Sequence, residues 1–189
     1  MEWKKQLKKT YHFIFKEDSA LSWAVNIILA FLIVKFLVYP GLSLVLGTDL
    51  PLVAVISGSM EHEGLEFEEW WEANGNWYTE EGLTQEEFLE FRFLNGFDKG
   101  DVMVLGGVDE VEVGDVLVYV SSTHEYPIIH RVVDLNDDGT YDFKGDNNDE
   151  GDPGDIVDEQ IIGKALYRIP KIGWVKIWVV ALYQGVVGG

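Results

Sequence analysis

Three kinds of residue in this chain could together make a hydroxyl reactive. Ser59 stands in Ser57-Gly58-Ser59-Met60, a glycine turn that closes the apolar run from Asp49 to Ile56. His130 lies within Ile128-Ile129-His130-Arg131-Val132-Val133, an apolar strand pattern in which an ionisable ring needs a reason. The loop from Lys144 to Asp152 offers carboxylates at Asp146 and Asp152. A serine becomes a nucleophile when a base takes its proton, a third group orients that base, and donors receive the developing oxyanion. Ser59, His130 and one of the two aspartates are the residue types that this chemistry requires. A solvent-facing strand histidine is the plainer reading of His130 alone; the glycine-turn serine and the acidic loop compete with it.

The remaining histidines are less suited. His12 belongs to a basic N-terminal stretch, His62 to an acidic one, and His124 to a polar loop with Ser121 and Ser122. No pair among His62, His124 and His130 has the helical spacing of zinc ligands, and the chain has no Cys, so no metal is expected. Asp134, Asn136, Asp138 and Gly139 match the start of a calcium loop, but position twelve is Gly145 where a bidentate Glu is needed. A hairpin turn at Asn136-Asp137-Asp138-Gly139 explains the same residues more simply. Two alternatives to a Ser-His-Asp arrangement stay open: a Ser-Lys hydrolase with Lys144 as base, and a noncatalytic, membrane-tethered calcium-binding module.

These residues need elements to carry them, and the pattern after residue 48 is largely that of strands. Asp49 to Ile56, Asp101 to Leu105, Val116 to Val120, Ile128 to Val133, Thr140 to Phe143 and Ile161 to Ile169 are β-branched or aromatic runs bounded by Gly, Asp or Asn. Short strands in succession without intervening helices predict a mainly β fold, an antiparallel barrel or sheet. Residues 61–97 interrupt it with eleven Glu, one Arg, and Trp70, Trp71 and Trp77. Phe67, Trp70 and Trp71 share helical spacing, which Asn74-Gly75 is expected to end. A second helix is signed by a Thr84/Glu87 capping box, a Leu83/Phe88 staple and an Asn95-Gly96 stop. The stretch therefore reads as a helical insertion that neighbours Ser59.

Ahead of the β region, Ala20 to Tyr39 contains only Ser22, Asn26 and Lys35 as polar residues. As a helix at ~1.5 Å per residue it spans about 30 Å, the thickness of a bilayer core, with Pro40-Gly41 expected to stop it. Five Lys precede this run, while no Lys or Arg occurs from Pro40 to Met60, so the N-terminus is expected in the cytoplasm and the body outside. The body is strongly acidic. Of 33 Asp and Glu and 14 Lys and Arg in the 189 residues, 30 acids and 9 bases follow residue 18, and the net charge of -19 argues against a nucleic-acid partner. At 47% hydrophobic and 13% aromatic, the chain can nonetheless fill a core. The expected organisation is a cytoplasmic basic tail (1–18), a membrane anchor (19–39), an extracytoplasmic domain (40–171) with its insertion (61–97), and an apolar C-terminal segment (172–189) that is interfacial or a second membrane helix.

The order of these motifs resembles the type I signal peptidases, in particular their archaeal and endoplasmic-reticulum branch. Ser57-Gly58-Ser59-Met60 resembles that family's nucleophile box, and Asp98-Lys99-Gly100-Asp101-Val102-Met103-Val104 its Gly-Asp-hydrophobic box. Ile129-His130-Arg131-Val132-Val133 carries His where the bacterial branch has Lys, and Lys144-Gly145-Asp146-Asn147-Asn148 with Asp152 matches the paired aspartates. The resemblance covers Ala20 to about Pro170. It implies a cofactor-independent serine endopeptidase that removes signal peptides from secreted preproteins after small residues, at the cell membrane, with the protein translocation channel as a possible neighbour. It implies Ser59 as nucleophile, His130 as general base, Asp146 or Asp152 as the orienting acid, and the Ser57 hydroxyl with the Ser59 amide as the oxyanion hole. Val53, Val55, Ile56 and Val104 are the expected walls of shallow apolar pockets. The chain departs from the family in Glu61-His62, where Pro often follows Met by two residues, and in the length of 61–97.

Overall fold

The computed structural model describes residues 2–122, 124–174 and 177–178. They form two compact units that divide between Val45 and Leu46. In the first, α1 (Glu2–Phe15) is followed by an apolar helix made of α2 (Ala20–Ile33), a π-helical turn (Val34–Val38) and α3 (Tyr39–Leu46). Ser19 caps α2 by accepting from the Ser22 amide, as a serine at that position should. Two of the polar residues in the apolar run satisfy the carbonyls left over at the end of α1. Ser22 Oγ donates to Phe13 O at 2.6 Å and Asn26 Nδ2 to Ile14 O at 2.8 Å.

The apolar helix does not stop at Pro40. It runs 27 residues, Ala20–Leu46, about 40 Å at the α-helical rise, and is long and apolar enough to cross a membrane. Proline removes an amide donor and crowds the carbonyl four residues back. Here the turn just before it widens to a π-turn, with the Tyr39 amide bonding to Val34 O, and the helix passes through. Its end comes instead at Gly47, whose positive φ of 68° is the usual helix terminator.

The second unit is built on one six-stranded sheet in the order β1-β2-β6-β3-β4-β5, every neighbouring pair antiparallel. The strands are β1 (Leu52–Ala54), β2 (Val102–Gly106), β3 (Val116–Tyr119), β4 (Ile128–Leu135), β5 (Tyr141–Lys144) and β6 (Ile161–Ile169). The mainly β fold is as expected from the runs of β-branched residues. One core lies among Val55, Met60, Phe97, Met103, Leu105, Val118 and their neighbours. A second lies under the insertion, where Phe67, Trp70, Tyr78, Leu83 and Phe88 pack with Val133 of β4. The Asn136–Gly139 segment makes the β4–β5 hairpin turn, closed by Asn136 N–H to Thr140 O with Gly139 at φ 84°.

The insertion holds two helices, α4 (Phe67–Glu80) and α5 (Gln85–Leu89). Asn74-Gly75 does not end the first, which continues for more than another turn. Asn74 Nδ2 satisfies its own helix at Trp70 O, and the Trp71 indole lies over the Cα of Gly75, filling the space a side chain would take. Packing of this aromatic cluster outweighs the local preference of Asn-Gly to break a helix, a cost of roughly 1 kcal/mol. The Thr84/Glu87 capping box forms as the spacing predicts. α5 nevertheless ends at Leu89, ahead of Asn95-Gly96. Gly96, at φ 61°, lies against Met60 O and the His62 ring, a close approach that leaves no room for a Cβ. Most of the C-terminal apolar segment, 172–189, lies outside the described residues.

Candidate active site

Ser59 follows β1 on a tight turn in which Glu61 N–H bonds to Gly58 O at 3.1 Å. The next residue anchors the turn. Met60 is buried in the core, its carbonyl accepts from the Phe97 amide, and its sulfur accepts from the Asp146 amide at 3.4 Å. The acidic loop is stitched to the same turn: Asn147 N–H donates to Ser59 O at 2.8 Å and Asn147 Nδ2 to Gly58 O at 3.2 Å. Between them Gly145 approaches so closely that a Cβ would meet Ser59 O at 2.7 Å and His130 Nε2 at 2.9 Å. Only glycine fits there.

His130 stands on β4 opposite Leu117 of β3 and is 6% exposed. Its Nε2 is 2.9 Å from Ser59 Oγ, and its Nδ1 hydrogen-bonds to Asp152 Oδ2. An ionised carboxylate can only accept, so the Nδ1 carries the proton and the Nε2 lone pair faces the serine hydroxyl. Asp152 accepts a second bond, at 2.6 Å, from Tyr119 OH on β3. Burial and the bonded Asp152 charge both raise the Tyr119 phenol well above its ordinary range, so it stays a donor. Ser57 Oγ is 3.2 Å from Ser59 Oγ, with Ser57 exposed at the mouth of the site.

Asp146 occupies a different place. Adjacent strand residues point to opposite faces, and Arg131, next to His130, turns to the face covered by the insertion. There Arg131 Nε and NH2 clasp Asp146 at 2.9 and 2.7 Å. The other guanidinium hydrogens reach Arg92 O, Gly114 O and Phe93 O, so all five donors are used. The Phe88 ring lies 4.8 Å away. His62 Nε2 at 3.2 Å and Tyr78 OH at 3.3 Å complete the surroundings of Asp146, which has no exposed surface. Burial alone would raise its carboxyl, but the Arg131 charge and the bonds from His62 and Arg131 outweigh it and hold the group below the usual carboxylate range. Of the two aspartates the sequence offered, only Asp152 contacts His130.

Lys144, directly across from Arg131 on β5, is buried with its Nζ bonded to Gly145 O at 3.1 Å and Tyr78 OH at 3.4 Å. Burial pushes its ammonium down to about 8, against the attraction of Asp146, Asp149 and Asp152. Of these partners, Tyr78 belongs to α4 of the insertion. Residue-type reasoning did not single out Arg131, Tyr119 or Tyr78. The legible hint was Arg131 itself, a full charge in an apolar strand at the position of opposite parity to His130.

An open cleft of about 690 Å³ passes Ser59 and His130. Its lining includes Val53, Val55 and Ile56, together with His124 and Asp152. Val104, expected in the wall, is not part of it and pairs with Leu52 inside the sheet. Among the described residues no group of three or more His, Cys, Asp or Glu side chains is arranged to hold a metal ion.

No family model matches the chain. It is similar, however, to signal peptidase complex catalytic subunits named SEC11. It is 28% identical over 158 residues to that of Lachancea thermotolerans, covering 76% of this chain and 74% of the relative. To that of Plasmodium falciparum it is 26% identical over 184 residues, covering 92% and 80%. The Dictyostelium discoideum subunit is 28% identical over 153 residues, covering 75% and 67%. The similarity extends over most of the chain and is to catalytic subunits of signal peptidase complexes, which supports a signal peptidase, a hydrolase.

Proposed function

We propose that this chain is a membrane-anchored serine endopeptidase that cuts N-terminal signal peptides from secreted preproteins after small residues, with Ser59, His130 and Asp152 as its catalytic group. The observation that carries the reading is the line of contacts from Ser59 Oγ, 2.9 Å from His130 Nε2, through the ring to Asp152. His130 takes the hydroxyl proton as Ser59 Oγ attacks the scissile carbonyl. Asp152 stabilises the imidazolium and holds the ring in the productive tautomer. The tetrahedral oxyanion is received by the Ser59 amide and the Ser57 hydroxyl. His130 then protonates the departing amine, the peptide bond breaks, and an acyl-enzyme remains on Ser59. Water, deprotonated by His130, attacks the ester and releases the signal peptide's carboxylate and the free serine.

Asp146 has a supporting role in this reading, because its carboxylate is committed to Arg131. Lys144 is disfavoured as base by its bonds to Tyr78 and Gly145. Shallow apolar walls at Val53, Val55 and Ile56 suit small side chains next to the cut. The helix Ala20–Leu46 serves as the anchor in this reading, and the lysines before it favour a cytoplasmic N-terminus with the catalytic domain outside the cell membrane. A signal peptide is itself held in the bilayer, so anchoring the enzyme there raises the effective concentration of its substrate.

The test is incubation of the full chain in detergent with a model preprotein, followed by sequencing of the new N-terminus. Cleavage after a small residue that disappears in Ser59→Ala, with folding unchanged, is the expected result. Turnover retained by Ser59→Ala overturns the reading. His130→Lys should be inactive, whereas a site built for a lysine base would tolerate it.

A further inference from the structure

We propose that the acidic, aromatic insertion of residues 61–97 is a brace for the catalytic loop, and that Tyr78 is a positioning residue through which α4 sets the placement of Asp152 against His130. The proposal rests on the Ser59–His130–Asp152 reading.

Asp152 sits at the end of a loop that leaves β5 at Lys144 and has no regular structure of its own. The Asp152 amide ties the loop back to β5 through Phe143 O at 2.7 Å, and two adjacent residues of α4 lie beside the loop, one bonded to its start and the other near Gly151. At its start, Tyr78 OH lies between Asp146 Oδ1 at 3.3 Å and Lys144 Nζ at 3.4 Å, and the hydroxyl can donate to the first while accepting from the second. At its end, the Trp77 ring lies 3.5 Å from the position a Cβ of Gly151 would take, one residue before Asp152. The Lys144 ammonium stands over both rings, 4.6 Å from the Tyr78 centroid and 5.1 Å from that of Trp77.

Electrostatics explains why such a brace is needed. Arg131 and Lys144 face each other across β4 and β5 on a buried face, where like charges directly opposite are unfavourable. Asp146 is the carboxylate in contact with Arg131 there, and the Tyr78 hydroxyl links it to Lys144. Arg131 fastens the far end of the insertion too, through Arg92 O and Phe93 O. Tyr78 itself has no exposed surface, and burial followed by the Asp146 charge raises its phenol far above the ordinary range, so its hydroxyl stays protonated and able to donate to Asp146. The loop that presents Asp152 is thus held from the insertion side as well as by the Ser59 turn and by the Asp152 amide on Phe143 O of β5.

Tyr78→Phe removes one hydroxyl and keeps the ring. In the full chain in detergent, kcat for a model preprotein should fall about tenfold with KM within about twofold. The low-field proton resonance of the His130 Nδ1–H bonded to Asp152 should weaken or shift. Phe67→Leu serves as the control. It loosens the same aromatic cluster without touching the loop, and should lower the melting temperature while leaving kcat and the resonance as in the wild type. Wild-type kcat in a folded Tyr78→Phe overturns the proposal, as does an equal loss of kcat in Phe67→Leu. Should Tyr78→Phe not fold, Trp77→Leu is read the same way and by the same criteria. The proton resonance needs no turnover, so it also separates this proposal from the one it rests on: Ser59→Ala with retained cleavage removes the peptidase reading, whereas an unchanged resonance in the braced variants removes only the brace.

Discussion

Replacing each aspartate by asparagine should separate the two carboxylates by kind of damage. Asp152 Oδ2 accepts from both His130 Nδ1 and Tyr119 OH, and its side chain is only 12% exposed, so solvent does little to screen it. In Asp152→Asn an amide NH2 at that position forces Nδ1 to accept, which moves the ring proton to Nε2 and points it at Ser59. An amide oxygen there keeps the geometry but not the charge that stabilises the imidazolium. The corresponding change in a well-studied serine protease costs about 10⁴ in kcat, equivalent to about 5 kcal/mol of transition-state stabilisation, and a loss of that order is expected here with little change in melting temperature. Asp146→Asn leaves the fully buried Arg131 guanidinium without its counter-charge, a defect worth about 3–5 kcal/mol of stability. For a unit of this size that lowers the melting temperature by roughly 10 °C, while the folded fraction retains far more activity than Asp152→Asn. Preprotein cleavage at saturating substrate and thermal unfolding, run on the same preparations, measure both. A folded Asp146→Asn as inactive as Asp152→Asn, or an Asp152→Asn within tenfold of wild type, refutes the assignment.

Ser57→Ala should lower kcat by about 10²–10³ with KM little affected, because in the proposed mechanism the hydroxyl serves the oxyanion and not the ground state; a proportional rise in KM instead would remove Ser57 from that role. Gly145→Ala forces a methyl against Ser59 O and His130 Nε2, and a displacement of about 1 Å at reacting groups costs on the order of 10² in rate, checked by kcat on protein whose melting temperature is also recorded. Lys144 gives a pH dependence. Its ammonium is held at about 8 in the folded chain against a normal lysine when unfolded, so between those values the unfolded state binds more protons and stability rises with pH. Compared with Lys144→Met, the wild type should therefore gain stability between pH 8 and 10.5, by a few kcal/mol at most, in denaturant titrations across that range; parallel curves contradict the burial argument.

The strands and the turn that carries Ser59 could be located from local pattern because their signals are short-range. Ile161–Ile169 matches its apolar run at both ends, and Thr84 caps α5 through atoms three residues apart. Two boundaries were misplaced because a local breaker was overridden. Asn74-Gly75 and Pro40 are strong local breakers, yet the Trp71 ring over Gly75 and the π-turn ahead of Pro40 carry both helices onward. Tertiary packing and a small change in helix pitch overrode preferences of about 1–3 kcal/mol.

By itself the sequence determined the chemistry on offer: a hydroxyl on a glycine turn, an imidazole within an apolar strand, two aspartates six residues apart, and an apolar segment of bilayer length behind a basic tail. It could not determine which aspartate meets the imidazole, because both lie on one flexible-looking loop and nothing in their spacing tells them apart. That choice belongs to the sheet. The alternation of β4 turns His130 and Arg131 to opposite faces, and the guanidinium, with all five donors committed, draws Asp146 into the covered side while Asp152 comes round to the open one. Partners drawn from residues 62, 78, 119 and 131 converge on these two carboxylates only after the chain has folded, since such contacts follow from burial and satisfied hydrogen bonds and leave no mark in any local window of sequence.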